Sequence, residues 1–240
     1  MTEASDNQPL SSDFDRLCRR SLIRTVGYGI TVPYFRWLNT IEVKNQALLL
    51  ELPRKNVIFL SNHQTYFTEA IALYDLVYIK MGLPLEDPFI RFSAATETMK
   101  KNLVTQILTM AGGVTFRRSF REGGVDIKRP VDLEGVSKVE QAIKEGWLLH
   151  FPTGTTKKDA PIRPGIAQLL HRAQAIAVPL HISGFRDLLL KGQVPGRVFK
   201  KATMEFLPPL DLSSFYAEPF SKEEGRKLVE VLSDLILEKP

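Results

Sequence analysis

From Ile41 to the C-terminus, short apolar runs of strand length alternate with stretches in which apolar residues recur every three or four positions. That alternation predicts an α/β domain with a mixed central sheet flanked by helices. Ile41–Val43, Ala47–Leu52, Val57–Ser61, Ile90–Ala94, Val114–Phe116, Trp147–Phe151, Ile176–Ile182 and Thr203–Leu207 read as strands. Helical periods cover Tyr66–Met81, Glu97–Ala111, Glu134–Glu145, Pro164–Ala173 and Ser221–Glu238. In the last of these, Ser221 and Glu224 have capping-box spacing, and Leu228, Val231, Leu232, Leu235 and Ile236 repeat at helical intervals. The segments at 84–88 and 123–130 read as surface loops, and no internal repeat is visible.

Ahead of this domain, Asp13 can cap a helix whose Phe14, Leu17, Cys18, Leu22, Val26 and Ile30 share one face, with Arg16, Arg19, Arg20 and Arg24 turned away from it. Pro33 ends or kinks that helix. The following Tyr34, Phe35, Arg36, Trp37 and Leu38 mix aromatics with one cation, which suits the headgroup layer of a membrane. A helix packed on its own domain fits the same pattern. The expected organisation is a disordered polar tail over 1–12, an amphipathic membrane-associating arm over 13–40, and one domain over 41–240.

Composition narrows the class. With 44% apolar and 25% charged residues, the chain has enough material for a core. A net charge of +5 suits a membrane surface or phosphorylated ligands. No aromatic-basic recognition module accompanies it, so nucleic acid is not an expected partner. A single cysteine, Cys18, excludes an internal disulfide framework and a cysteine-clustered zinc site, and it favours a reducing compartment. The longest run without charged residues, Asn102 to Phe116, falls short of the roughly 18 to 20 residues that span a bilayer. The first residues lack a basic start and an apolar run. The expected location is therefore cytoplasmic, peripheral on the inner face of the membrane.

Four short segments carry candidate chemistry. In Ser61-Asn62-His63-Gln64-Thr65-Tyr66-Phe67-Thr68-Glu69, a histidine stands just past an apolar strand and just before a helical run. Strand ends that feed helix starts line the ligand crevice of α/β folds, and an imidazole there can take a proton near neutral pH. The other segments are Gly112-Gly113-Val114-Thr115-Phe116-Arg117-Arg118, Phe151-Pro152-Thr153-Gly154-Thr155-Thr156 and Ala177-Val178-Pro179-Leu180. In order and spacing, the four resemble the blocks of the glycerolipid acyltransferases, the lysophosphatidic acid acyltransferase family. His150, His171 and His181 read as structural, and no G-x-S-x-G elbow, P-loop or metal-ligand cluster is present.

The resemblance implies transfer of a fatty acyl group from acyl-CoA or acyl carrier protein to the hydroxyl of a lysophospholipid or another single-chain lipid. It assigns the general base to His63 and the acceptor's anionic group to Arg118. Arg117 and Arg118 would point to opposite faces of a strand, and the motif selects Arg118. The acyl carrier enters as co-substrate, and no cofactor or metal is implied. The implied partners are a membrane surface, the acyl-donor thioester and a lyso-lipid acceptor.

Two departures stand out. The family's first block runs His, four residues, Asp, but the aspartate position here holds Thr68, with Glu69 next to it. On a regular helix that step rotates the side chain by about 100°, and a longer turn after His63 would bring Glu69 back. Glu69 is therefore the expected orienting carboxylate; a solvated acid in the first turn of a helix is the plainer alternative. The third block has Thr153 where glutamate is usual and Thr156 in place of the following arginine. Thr153, Gly154, Thr155 and Thr156 read as an acceptor-binding loop of altered selectivity, or as a simple strand-to-helix turn. These losses also leave open a catalytically inactive, lipid-binding member of the same fold.

Overall fold

The computed structural model describes residues 13–85, 89–99, 103–117, 120–122, 125–127, 132–189 and 196–237. The chain enters through helix α1 (Asp13–Val26), which continues as two π-helical segments, Gly27–Thr31 and Pro33–Leu38. Then come β1 (Thr40–Lys44), the single turn α2 (Leu48–Glu51), β2 (Val57–Ser61) and α3 (Thr68–Tyr74), the last extended by a π-helical stretch, Asp75–Lys80. The middle of the chain holds β3 (Ile90–Ala95), α4 (Thr96–Met99), α5 (Leu103–Met110), β4 (Gly113–Phe116), β5 (Phe120–Glu122), β6 (Val125–Ile127) and α6 (Leu133–Glu145). It ends with β7 (Trp147–His150), α7 (Gly165–Ala173), β8 (Ile176–Ser183), α8 (Phe185–Leu188), β9 (Lys201–Phe206), α9 (Ser213–Ala217) and α10 (Lys222–Ile236).

Seven strands form one mixed sheet in the order β1-β9-β8-β2-β7-β3-β4, with helices on both faces, as the alternation predicts. Strands β8, β2, β7, β3 and β4 are mutually parallel, whereas β9 runs antiparallel to β8 and carries β1 parallel to itself. The carboxyl ends of five strands and the amino ends of β1 and β9 therefore share one edge of the sheet. All five residues of β2 are buried, as the continuous apolar run of a central parallel strand requires. Alternation divides the core: Val57 and Phe59 pack with Trp147, Leu149 and Leu73 on one face, and Ile58 and Leu60 with Leu148, Ile143 and Leu170 on the other.

Three expectations are corrected. Within the expected strand Ala47–Leu52, Leu48–Glu51 is a turn of helix: the chain leaves β1 through Asn45 at φ +58°, and a leucine run forms helix readily. Within the segment at 123–130, expected as a loop, Val125–Ile127 forms β6 and pairs antiparallel with β5. The packed stripe of α1 is rotated from the one the apolar residues suggest, since Arg19, Ile23, Gly27 and Thr31 are buried while Leu17 and Ile30 are exposed. Arg19 is 5% exposed because its guanidinium donates to three backbone carbonyls, those of Ala111, Leu85 and Ile90, and lies 3.7 Å over the Phe89 ring. Each of its three nitrogens thus donates to a carbonyl at the amino-terminal edge of the parallel strands, and two of those carbonyls also accept from the Tyr74 hydroxyl. In α10, Ser221 caps the Glu223 amide, and Val231 is exposed, so the buried stripe is Leu228, Leu232 and Ile236.

Candidate active site

The edge that collects the carboxyl ends of β2, β3, β4 and β7 holds a cleft of about 290 Å³. His63 forms part of its wall, together with Ser93 and Ala94 of β3, Phe116 of β4, Phe151 after β7, and Gly154, Thr155 and Thr156. Chain crossovers leave a strand here and return by a helix, so side chains in the connecting loops converge on the crevice.

His63 lies in the loop between β2 and α3, and two neighbours fix that loop. Asn62 bridges the β8 backbone, donating to the Ile182 carbonyl at 2.8 Å and accepting from the Ile182 amide at 2.8 Å. Gln64 donates to the same carbonyl at 3.1 Å and accepts from the Phe185 amide at 2.8 Å. The imidazole stacks on Phe151, with ring centroids 4.0 Å apart and 20° between the planes.

Because α3 begins only at Thr68, the loop curls enough to bring Glu69 under the imidazole. Glu69 is completely buried, with Oε1 3.4 Å from His63 Nδ1. That distance suits charge pairing and is long for a hydrogen bond. The carboxylate also accepts from the amides of Gln64 at 2.7 Å and Thr65 at 2.6 Å, and from the Thr65 hydroxyl at 2.5 Å. Burial alone would raise its pKa, but the imidazole and the Thr65 donors outweigh that cost and bring it down to about 2. Glu69 is thus an ionised carboxylate with its lone pairs satisfied by fixed donors. Thr68, in the position where aspartate was expected, is buried with its hydroxyl unpartnered.

His63 Nδ1 is buried against this carboxylate, which leaves Nε2 as the ring nitrogen available to the cleft. A neutral imidazole in that setting can take a proton at Nε2, and the ionised Glu69 then balances the imidazolium.

The 151–156 turn depends on Gly154, whose φ of +64° is one that residues with a Cβ rarely adopt. Gly154, Thr155 and Thr156 line the cleft. Thr153 differs from the expectation of a hydroxyl offered to substrate: it is buried, and its hydroxyl donates to the Thr155 carbonyl at 3.0 Å, holding the turn together. Two arginines brace the same loop from outside, Arg186 donating to the Thr156 carbonyl at 2.5 Å and Arg163 to the Thr153 carbonyl at 3.3 Å. In the 112–118 segment, Gly112 has φ +131° and Phe116 reaches the cleft. Arg117 is exposed, its amide donating to Asp132 at 2.6 Å, and Arg118 lies outside the described residues.

Sequence reasoning gave no role of their own to Asn62, Gln64, Thr65 and Phe151, which stand inside the motif segments, and passed over Ser93. The polar string after an apolar strand was a signal for the first three. Ser93 gave none, and the stack of Phe151 on His63 could not be read from its motif, because the partners lie far along the chain. Ser93 Oγ is 2.7 Å from His150 Nδ1, and desolvation brings the His150 pKa down to about 4, so this histidine is a neutral hydrogen-bonding group. His171 and His181 bond to the carbonyls of Glu218 and Ile236, in keeping with structural roles.

Beyond Phe151 and Gly154 a second cavity, of about 280 Å³, opens on the other face of the sheet. Val139, Ile166 and Leu169 make it apolar, and Arg163 and Arg172 stand among its lining residues.

A search of curated proteins finds no match. Among solved structures, the fold is similar to the 1-acyl-sn-glycerophosphate (LPA) acyltransferase PlsC from Thermotoga maritima, with a TM-score of 0.57 at 17% identity over 94% of this chain and 84% of that one. A family model described as Acyltransferase matches residues 40–183. That span runs from β1 to the end of β8, takes in all four motif segments, and exceeds half the chain, so this protein belongs to the acyltransferase family.

Proposed function

We propose that the protein transfers a fatty acyl group from a thioester, acyl-CoA or acyl carrier protein, to the hydroxyl of a lysophospholipid or another single-chain lipid. The observation that carries this reading is the buried, ionised Glu69 set 3.4 Å behind the Nδ1 of a cleft-lining His63. His63 Nε2 removes the acceptor's hydroxyl proton as that oxygen attacks the thioester carbonyl. The tetrahedral intermediate collapses, the ester forms, and the thiolate leaves with the proton that His63 carried. Glu69 stays ionised throughout and holds the ring in the tautomer that presents Nε2.

The two cavities on either side of Phe151 and Gly154 support a two-substrate reaction that involves an apolar chain. Hydroxyls of Ser93, Thr98, Thr105, Thr155 and Thr156 give the His63 side a polar, uncharged character among the described residues, which suits a hydroxylated headgroup. Arg118 is proposed to hold an anionic group of the acceptor. No helix among the described residues is long and apolar enough to cross a membrane. With both substrates lipidic, the proposed setting is peripheral, on the inner face of the membrane.

The test is thiol release from acyl-CoA across a panel of lyso-lipid acceptors. Acceptor-dependent release that His63→Ala lowers by at least ~10²-fold supports the reading. Release with no acceptor, or release indifferent to His63, refutes it and leaves a lipid-binding protein of the same fold.

A further inference from the structure

Exposed apolar side chains gather where the arm meets the domain. Trp37 is 74% exposed and Phe199 83%, with Leu38 and Val198 also exposed. The two pairs are distant in sequence but tied in space. The Phe199 amide donates to the Leu38 carbonyl at 2.6 Å and the Thr40 amide to the Lys200 carbonyl at 3.0 Å. Between them sits Asn39, buried at 4% exposure, which donates to the carbonyls of Tyr34 and Arg197, both at 3.1 Å, and accepts from the Lys200 amide at 2.9 Å. Asn39 thus clamps the 197–200 loop onto the end of the arm.

Folding alone does not account for Phe199. Its φ is +58°, a conformation costly for a residue with a Cβ, and its ring gains almost no packing in return. Strain kept without a packing reward points to function. The surroundings indicate which one: Arg197, Lys200 and Lys201 are exposed beside the ring, and neither 33–41 nor 196–204 contains an acidic residue, while Arg36, next to Trp37, pairs with Asp75 at 3.3 Å. Aromatic and aliphatic tips beside three exposed cations complement an anionic lipid surface, where rings settle at headgroup depth and cations meet lipid phosphates. The patch lies at the amino ends of β1 and β9, the same edge of the sheet as His63.

We propose that the Val198–Phe199 loop, locked to Trp37 and Leu38 by Asn39, is a second membrane-inserting element that seats the His63 edge of the sheet on an anionic bilayer. This deepens the membrane-surface reading above and rests on it, but extends it to a loop outside the arm.

The test uses the full chain and vesicles of phosphatidylcholine with or without phosphatidylglycerol. The protein has two tryptophans, and Trp147 is fully buried, so a vesicle-induced change in emission reports on Trp37. A blue shift that strengthens with phosphatidylglycerol is expected. Phe199→Asn should weaken vesicle binding about tenfold, the cost of losing one inserted ring. It should leave Tm unchanged or raised, because asparagine tolerates positive φ. Changing Arg197, Lys200 and Lys201 to Glu together should abolish the preference for phosphatidylglycerol. Vesicle affinity of Phe199→Asn within twofold of the parent overturns the proposal. So does a loss confined to binding of acyl carrier protein, which would make the patch a protein-docking surface. Vesicle binding is read without turnover: His63→Ala that still docks separates failure of the reaction from failure of the patch, and transfer to a water-soluble short-chain acceptor should survive Phe199→Asn.

Discussion

Glu69 Oε1 lies 3.4 Å from His63 Nδ1, while the side chain of Thr68, one residue earlier, finds no partner. The carboxylate is one position later than the family's spacing places it, and the loop between β2 and α3 absorbs the difference. The amides of Gln64 and Thr65 turn inward to Glu69 Oε1, so the loop closes around the acid.

Glu69→Gln keeps the shape but removes the charge that balances the imidazolium. Expected is a fall in kcat of ~10² or more with KM little changed, since the lost interaction forms as the proton moves. Steady-state thiol release checks this; an unchanged kcat would remove Glu69 from the mechanism.

Thr68→Val deletes a buried hydroxyl that bonds to nothing. Stability in urea should stay level or rise by up to about 1 kcal/mol, and kcat should remain within a fewfold of the parent. A large loss of kcat would show that Thr68, and not Glu69, stands in for the aspartate.

Two groups give the stability a stepped acid dependence. The His150 pKa is lowered from 6.5 to about 4, so the unfolded chain binds that proton first and stability declines as pH falls from about 6.5 to 4. The Glu69 pKa is lowered from 4.5 to about 2, so its contribution is complete above 4.5 and is lost as pH falls towards 2. Denaturant melts across this range should show both declines. His150→Asn should flatten the upper one alone and Glu69→Gln the lower.

Gln64→Ala opens the link between the His63 loop and the turn after β8, leaving the Phe185 amide without its 2.8 Å acceptor. A loss of about 1–3 kcal/mol is expected, together with a lower kcat, because the loop that aims His63 loosens. Parent-like stability and kcat would show that Asn62 holds the loop alone.

Gly154→Ala places a Cβ where φ is +64°. The strain of about 1 kcal/mol should be relieved by displacing Thr155 and Thr156. The reading of this turn as part of the acceptor site therefore expects a raised acceptor KM and a nearly constant KM for the acyl donor.

The pattern along the chain by itself determined the α/β class, seven of the strands of the main sheet or their close approximations, and the address of His63 after the first buried strand. Those features follow from local periodicity, which a linear sequence carries in full. Tertiary structure decided the rest. Whether Glu69 reaches the imidazole depended on the path of a six-residue irregular loop from Asn62 to Phe67, which no helical period describes. Leu48–Glu51 became helix once the chain had turned at Asn45, and Arg19 turned inward to carbonyls that three distant segments bring together. The Asn39 clamp and the Phe151 stack join residues separated by long stretches of chain. Each depends on distances that exist only once the sheet has brought its edges together.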